Sequence, residues 1–200
     1  MMTRQSASEA LRILQLSGLR VFTLRDAATQ LGRSLTTTAH RLMYLSRQAL
    51  VKPLRSGVWM LTDAHPDPLE AVPVLTAPWP GYVSFHSALV EHGLLSQIPV
   101  DIMVASARRA AQWKTPLGSF RLIQLPPAWM WGYIMVQRGS GRFPLAEPEK
   151  AVLDIWQASG TWRYRSWRRV VTPTLIKQLN AKQLKVFARR AGMDMILKSR

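Results

Sequence analysis

At residues 23–45 the chain reads TLRDAATQLGRSLTTTAHRLMYL, and this stretch carries the start and stop signals of two helices. Thr23 lies three residues before Asp26, a capping-box pattern that predicts a helix over residues 24–31. Gly32 ends this helix because glycine readily adopts the left-handed conformation of a C-cap, and Ser34 caps a second helix from residue 35 onward. Two helices joined by a short turn that contains glycine are typical of a helix-turn-helix.

The residues on either side of this stretch complete the N-terminal prediction. Residues 8–17 have apolar side chains at helical spacing, which predicts an amphipathic helix. After the helix-turn-helix, two short apolar runs flank Ser56-Gly57 and predict a β-hairpin with a tight turn. Three helices followed by a hairpin are the layout of a winged helix, which we predict for residues 1–62.

The rest of the chain is predicted to be a linker and a second domain. Residues 63–80 contain three acidic residues, no Lys or Arg and repeated prolines, which predicts an acidic, Pro-rich linker. In residues 81–200, the runs 100–105, 117–125 and 129–137 predict strands, and residues 85–91, 148–158, 174–179 and 181–191 predict helices. The predicted fold class is α+β: an N-terminal winged helix-turn-helix, then a mixed α/β C-terminal domain with a small sheet and terminal helices.

Positive charge is concentrated at the two ends of the chain. The 200 residues include 27 Lys and Arg against 11 Asp and Glu, a net charge of +16. Residues 1–62 carry a net +7, residues 63–80 a net −3, residues 81–150 a net +3 and residues 151–200 a net +9. A chain this basic attracts polyanions, so nucleic acid is the expected class of partner.

One face of the second helix of the motif has chemistry suited to DNA. A rotation of about 100° per residue predicts a buried face made of Leu35, Ala39, Leu42, Met43 and Leu45. The opposite face carries hydroxyl, imidazole and guanidinium groups and no carboxylate, and such groups reach base edges and phosphates. The predicted DNA-binding residues, with one at the turn before the helix and one at the hairpin, are Arg33, Ser34, Thr36, Thr37, His40, Arg41, Tyr44 and Arg55.

Aromatic and arginine side chains are interleaved in residues 162–169, which read WRYRSWRR. This segment is suited to stacking on bases and binding phosphate, and equally to docking on an acidic protein surface. It is also consistent with a Trp-anchored core segment that turns a basic face to solvent, and the sequence leaves the three interpretations open. The candidate contact residues are Arg163, Arg165, Trp167, Arg168 and Arg169.

No catalytic constellation is found along the chain. The absence of cysteine excludes disulfides, thiolate zinc sites and Cys nucleophiles. No P-loop and no dinucleotide-binding glycine fingerprint occurs, and Glu147, Glu149 and Asp154 are interpreted as favourable charges at a helix start rather than as metal ligands. We predict a protein that is not an enzyme and has no cofactor or metal.

The sequence also predicts the cellular location of the protein. The uncharged stretch 71–90 contains three prolines and a glycine, which excludes a continuous membrane helix. Residues 1–18 have no apolar signal core. These features predict a cytoplasmic protein without a membrane partner.

Two phrases of the sequence resemble a known family. Residues 82–99, YVSFHSALVEHGLLSQIP, look like the segment that opens the C-terminal domain of AbiEi-type antitoxins, and residues 146–155, AEPEKAVLDI, are similar to a second phrase of that family. The hairpin strand that begins Gly57-Val58-Trp59 also fits, and the resemblance covers most of residues 8–192. It implies the antitoxin of a type IV toxin–antitoxin pair that represses its own operon and counteracts a nucleotidyltransferase-like toxin.

The expected function is therefore a DNA-binding transcriptional repressor that acts as an antitoxin. Its expected partners are double-stranded DNA with promoter repeats, bound as a dimer, and the cognate nucleotidyltransferase-like toxin. Two alternatives use the basic Trp/Arg-rich C-terminal region: a protein-interaction module for which DNA is incidental, and an RNA-binding regulator.

Overall fold

A computed structural model of the chain describes residues 6–193. The N-terminal elements form three helices and a three-stranded antiparallel sheet in the order β1-β3-β2. They are α1 Ala7–Leu16, β1 Val21–Thr23, α2 Leu24–Leu31, α3 Leu35–Arg47, β2 Val51–Arg55 and β3 Val58–Leu61.

The caps of α2 and α3 form as the sequence predicts. The Thr23 hydroxyl accepts from the backbone N–H of Asp26, and the Asp26 carboxylate accepts from the backbone N–H of Thr23, which completes the capping box. Gly32 ends α2 in the left-handed conformation, with φ of 60°. The Ser34 hydroxyl accepts from the backbone N–H of Thr37 at 3.2 Å and starts α3. These local bonds fix the turn between the two helices.

The buried face of α3 differs from the predicted one. Thr38, Leu42 and Leu45 are buried, whereas Leu35 is 47% exposed and Met43 is 52% exposed. The three buried positions form one stripe, and Met43 lies roughly 130° around the helix from its centre. Leu35 is the first helical residue and lies at the end of α3, away from the apolar cluster around Leu42 and Leu45.

The remaining strands form one six-stranded sheet in the order β6-β7-β5-β4-β9-β8. β5 pairs with β7 and β4 pairs with β9 in parallel, and the other neighbours are antiparallel. The strands are β4 Gly81–Val83, β5 Asp101–Ser106, β6 Ala111–Thr115, β7 Gly118–Gln124, β8 Tyr133–Arg138 and β9 Gly141–Ala146. The helices of this part are α5 Phe85–Glu91, α6 Pro148–Ala158, α7 Pro173–Gln178 and α8 Ala181–Arg190, with 3-10 turns at Pro127–Trp129 and Trp162–Val170.

The mixed α+β class predicted from the sequence is confirmed, although the sheet is larger than predicted. β5 and β7 occupy two of the three predicted strand segments, and in the third, 129–137, strand structure begins only at Tyr133. Strands β4, β6 and β9 were not predicted. β4 pairs with two strands that are remote in sequence, β5 and β9. β6 and β9 each form a hairpin with a neighbouring strand, β7 and β8.

The segment predicted to be a linker contains secondary structure. A 3-10 helix at Pro68–Glu70 leads into α4, Ala71–Thr76, and Leu69, Val72 and Leu75 are buried in the larger apolar core. Two of its acidic residues pair with arginines, one in residues 1–62 and one in residues 81–200. Glu70 lies 3.1 Å from Arg20, before β1, and Asp67 lies 3.1 Å from Arg138 of β8.

Both faces of the three-stranded sheet are buried. Phe22, Val51 and Leu61 face the cluster formed with the three N-terminal helices. Val21 and Met60, their neighbours along the strands, belong to the larger core that also contains the six-stranded sheet. Because successive strand residues point to opposite faces, the small sheet forms a shared layer between the N-terminal helices and the rest of the molecule.

Candidate nucleic-acid interface

The outward side of α3 carries a stripe of exposed polar and aromatic side chains. Thr36, His40, Tyr44 and Arg47 are all exposed, Tyr44 by 48% of its surface, and we call these four residues the α3 stripe. Their spacing of four, four and three residues places them within about 80° of one another around the helix. Arg47 was not among the predicted site residues. Its position three residues after Tyr44 on the same face is the signal that identifies it.

The electrostatic surroundings of the stripe are positive. No Asp or Glu occurs in residues 27–62, and the same residues include four arginines and one lysine. On such a surface a phosphate backbone meets no repelling carboxylate, and counterion release favours its binding. The chemistry expected from the sequence is therefore present on an exposed helix face.

Two predicted site residues, Ser34 and Thr37, are engaged with each other at the start of α3. The Ser34 hydroxyl donates to Thr37 Oγ1 at 2.9 Å and accepts from the Thr37 backbone N–H. Both side chains remain exposed. Arg33 in the turn and Arg41 on α3 are half-buried beside the stripe. The structure thus places seven of the eight predicted residues along α3 and the turn before it.

The eighth, Arg55, lies at the end of β2 in the hairpin, and backbone carbonyls hold its guanidinium in place. Its Nε donates to the carbonyl of Leu75 at 3.1 Å, and its Nη1 donates to the carbonyl of Ser56 at 3.0 Å. These bonds turn the guanidinium toward α4 rather than away from the hairpin. The physical reason is that Leu75 in α4 and Ala77 just after it present their carbonyl oxygens beside the guanidinium.

The Trp/Arg-rich segment is a 3-10 helix with one anchored side. The Trp167 ring packs against Phe85, His86 and Tyr164, with centroid separations of 5.5, 5.3 and 4.4 Å. Arg168 lies over the Trp156 ring and donates to Ser159 Oγ at 2.6 Å. These two candidate residues therefore attach the segment to α5 and α6.

The other side of the 3-10 helix faces solvent. Trp162 is 85% exposed. Besides Arg168, the exposed cations on this segment are Arg163, Arg165 and Arg169. The anchored and the exposed residues together mean that the segment has a structural role and also presents a basic, aromatic surface.

A polar network is enclosed in the larger core beneath the sheet. Lys150 forms an ion pair with Asp154 and donates to the Tyr82 hydroxyl at 2.8 Å, and no part of either charged side chain is exposed. Ser84 directly precedes α5, a position where serine often caps a helix. Its hydroxyl instead donates to Asp154 Oδ2 at 2.6 Å and makes no capping bond.

The surroundings of this pair oppose its charges. Burial lowers the pKa of Lys150 and raises the pKa of Asp154, and the attraction between the two groups counteracts both shifts. The Tyr82 hydroxyl, buried and beside Asp154, has a pKa raised well above its ordinary value. Because this network is closed to solvent, it has no room for a substrate. Its ion pair and hydrogen bonds connect β4 and α6 within the core.

The acidic residues at the start of α6 connect it to α8. The Glu149 carboxylate accepts from the backbone N–H of Asn180 at 2.7 Å, and Glu147 accepts from Gln183.

Within residues 6–193 no group of three or more His, Asp or Glu side chains is arranged to hold a metal ion. Over the same residues no helix combines the length and the apolar character needed to cross a bilayer.

Comparison of the chain with protein-family models and with curated proteins finds no match. The features of this chain that bear on its function are the α3 stripe and the charge around it. These features occur on the second helix of a pair joined by a capped three-residue turn.

Proposed function

We propose that this chain is a DNA-binding transcriptional regulator whose N-terminal part is a winged helix-turn-helix. The observation that carries the proposal is the exposed α3 stripe, which has no carboxylate on it and none in residues 27–62. The arrangement around it supports the proposal. Three helices, a capped turn between α2 and α3 and a hairpin paired with β1 are the elements of that motif.

In this proposal α3 enters the major groove. The hydroxyls of Thr36 and Tyr44 and the imidazole of His40 face the base edges, where such groups donate and accept hydrogen bonds. Arg47, at the end of the stripe, contacts a backbone phosphate, which positions the helix without reading sequence. Two copies on promoter repeats would place two such helices one helical turn apart.

The biological role that we propose is repression of its own operon by an antitoxin. The two phrases that resemble AbiEi-type antitoxins support this part of the proposal. The partner is then a nucleotidyltransferase-like toxin, which the chain counteracts.

We expect the full chain to bind a duplex from the region upstream of its own gene, with affinity that falls steeply as salt rises. The stripe and its neighbouring cations should neutralise at least about three phosphates, which gives a slope of log K against log salt near −3 or steeper. Fluorescence anisotropy between 0.05 and ~0.4 M salt measures this slope. A flat salt response, or tighter binding to single-stranded RNA of the same sequence, would contradict the proposal.

The exposed side of the 3-10 helix favours a second candidate function, the binding of a partner protein. Tryptophan and arginine dominate the energy of protein interfaces, and Trp162, which is 85% exposed, is followed by the exposed Arg163 and Arg165. We expect Trp162→Ala with Arg165→Ala to weaken binding of the product of the adjacent gene by about tenfold or more. The same double variant should leave duplex affinity within about threefold. Isothermal titration calorimetry with the purified partner measures the first effect.

A further inference from the structure

Two arginine side chains from distant parts of the chain meet beside the β2–β3 hairpin. Arg55 ends β2, and Arg108 lies in the turn between β5 and β6. Both guanidinium groups donate to the carbonyl oxygen of Ala77, from 3.4 Å for Arg55 and 3.2 Å for Arg108. Both also lie beside the Trp113 ring, with Cζ atoms 5.7 and 5.8 Å from its centroid. We call these two residues the arginine pair.

In the part of the chain that the structure describes, no carboxylate forms an ion pair with either member of the arginine pair. Arg20, Arg121 and Arg138 do form ion pairs there. Burial and the neighbouring charge of Arg108 lower the pKa of Arg55. Two cations held together without an acid repel each other, and an anion bound between them would remove that repulsion.

The two members of the pair have different numbers of donors left for a ligand. A guanidinium has five N–H donors in a planar fork. Arg55 donates to three carbonyls, those of Ser56, Leu75 and Ala77, which fix its position. Within the described part of the chain, the side chain of Arg108 donates to Ala77 alone. Arg108 therefore keeps an edge of its fork that can bind an oxyanion in bidentate fashion.

The position of the pair relates it to the helix-turn-helix. The hairpin turn that follows Arg55 is tied to the start of α2, because Leu24 donates its backbone N–H to the carbonyl of Gly57 at 2.8 Å. β2 lies beside β6, so Arg108 reaches the hairpin from the six-stranded sheet. One cation thus comes from the N-terminal part and one from the rest of the molecule.

We propose that the arginine pair binds a phosphate group, and that this phosphate belongs to the backbone of the nucleic acid held by α3. The inference rests on the proposed function and extends it to a residue of the six-stranded part, Arg108. A phosphodiester offers two non-bridging oxygens to the free edge of the Arg108 fork and one negative charge to the pair. Backbone contacts of this kind fix the position of a protein on a duplex.

The test uses the full chain with Arg108→Gln, whose amide can donate hydrogen bonds but carries no charge. We expect duplex affinity to fall about fivefold to tenfold at 0.1 M salt, and the slope of log K against log salt to become shallower by about 0.9. Arg108→Lys, which keeps the charge, should keep the slope. A purely structural role of Arg108 would not change the salt slope, and the Lys variant tests the charge even where the Gln variant is unstable.

Arg189→Gln is the matched control, because it removes one exposed arginine from α8, a helix that packs against α6. We expect no change of slope in this variant. Equal losses in the Arg108 and Arg189 variants would overturn the inference in favour of net charge alone. Inorganic phosphate is a second probe: stabilisation of the wild type by phosphate, lost in Arg108→Gln while duplex affinity is kept, would identify a free-phosphate site and also overturn it.

The outcome also separates the inference from the proposed function. Wild-type protein that fails to bind any duplex would overturn both. Wild-type protein that binds duplex, loses affinity when the α3 stripe is changed and is unaffected by Arg108→Gln would overturn the inference alone.

Discussion

Placing glutamate at Thr36 and His40 of α3 is expected to lower duplex affinity by about 100-fold, because two carboxylates would then face the phosphate backbone and the base edges. The two positions lie one helical turn apart on the exposed side of α3. The free energy of unfolding should change by less than about 0.5 kcal/mol, since neither side chain is buried and an acid in the first turn of a helix is favourable. Anisotropy titration of the full chain at 0.1 M salt measures the loss.

The matched control is Thr174→Glu with Gln178→Glu on α7. These residues are also exposed and four positions apart, so the variant has the same change of net charge and the same helical spacing. Its affinity should fall by no more than about threefold, the effect of general charge. A loss as large as that of the α3 variant would mean that the bound surface is not the α3 stripe.

Replacing Asp154 by leucine is expected to destabilise the protein by about 3–5 kcal/mol, because it leaves the ammonium group of Lys150 buried without its counterion. The Tyr82 hydroxyl and the rings of Trp129 and Trp131, each 4.9 Å from Lys150 Nζ, would be its remaining partners. Urea unfolding followed by circular dichroism gives the free energy of unfolding. A loss below about 1 kcal/mol would contradict the role assigned to the pair.

The same variant should become relatively more stable as pH rises. Burial lowers the pKa of Lys150 in the folded chain, and the opposing attraction of Asp154 is gone, whereas the unfolded chain keeps a value near 10.5. The unfolded state then binds more protons than the folded state between these two values, so stability rises with pH across that window. The double variant Asp154→Leu with Lys150→Met should regain most of the loss at neutral pH, since it removes both charges.

The sequence predicts the elements that depend on neighbouring residues. The capping box at Thr23, the left-handed Gly32 and the cap at Ser34 define α2 and α3 because each involves groups three or four residues apart. β6 and β9 form hairpins with the neighbouring strands β7 and β8. They were missed because β6, AQWKT, has few strand-forming residues and β9 contains Pro144. β4 was missed because its register depends on partners far along the chain, and it pairs with residues more than twenty positions later.

The sequence also fails to predict parts of the candidate sites, because these parts depend on contacts between elements. The face of α3 was assigned from angle alone, and Leu35 and Met43 are exposed because the neighbouring helices cover a narrower stripe around Leu42 and Leu45. Lys150 and Asp154 are four residues apart, a spacing that also occurs on solvent-exposed helices. The convergence of Arg55 and Arg108 requires the hairpin to pack against β6, which no local pattern encodes.

In the proposed function, the small sheet with both faces covered would also determine how the molecule is oriented on the duplex. A domain on a free tether could rotate about its linker, but α3 and the six-stranded sheet share the layer that contains Phe22 on one side and Val21 on the other. When a groove aligns α3, it aligns the whole body. The exposed 3-10 helix is then presented at one fixed angle around the duplex axis, and a second protein recruited there arrives in a defined helical phase with the bound site.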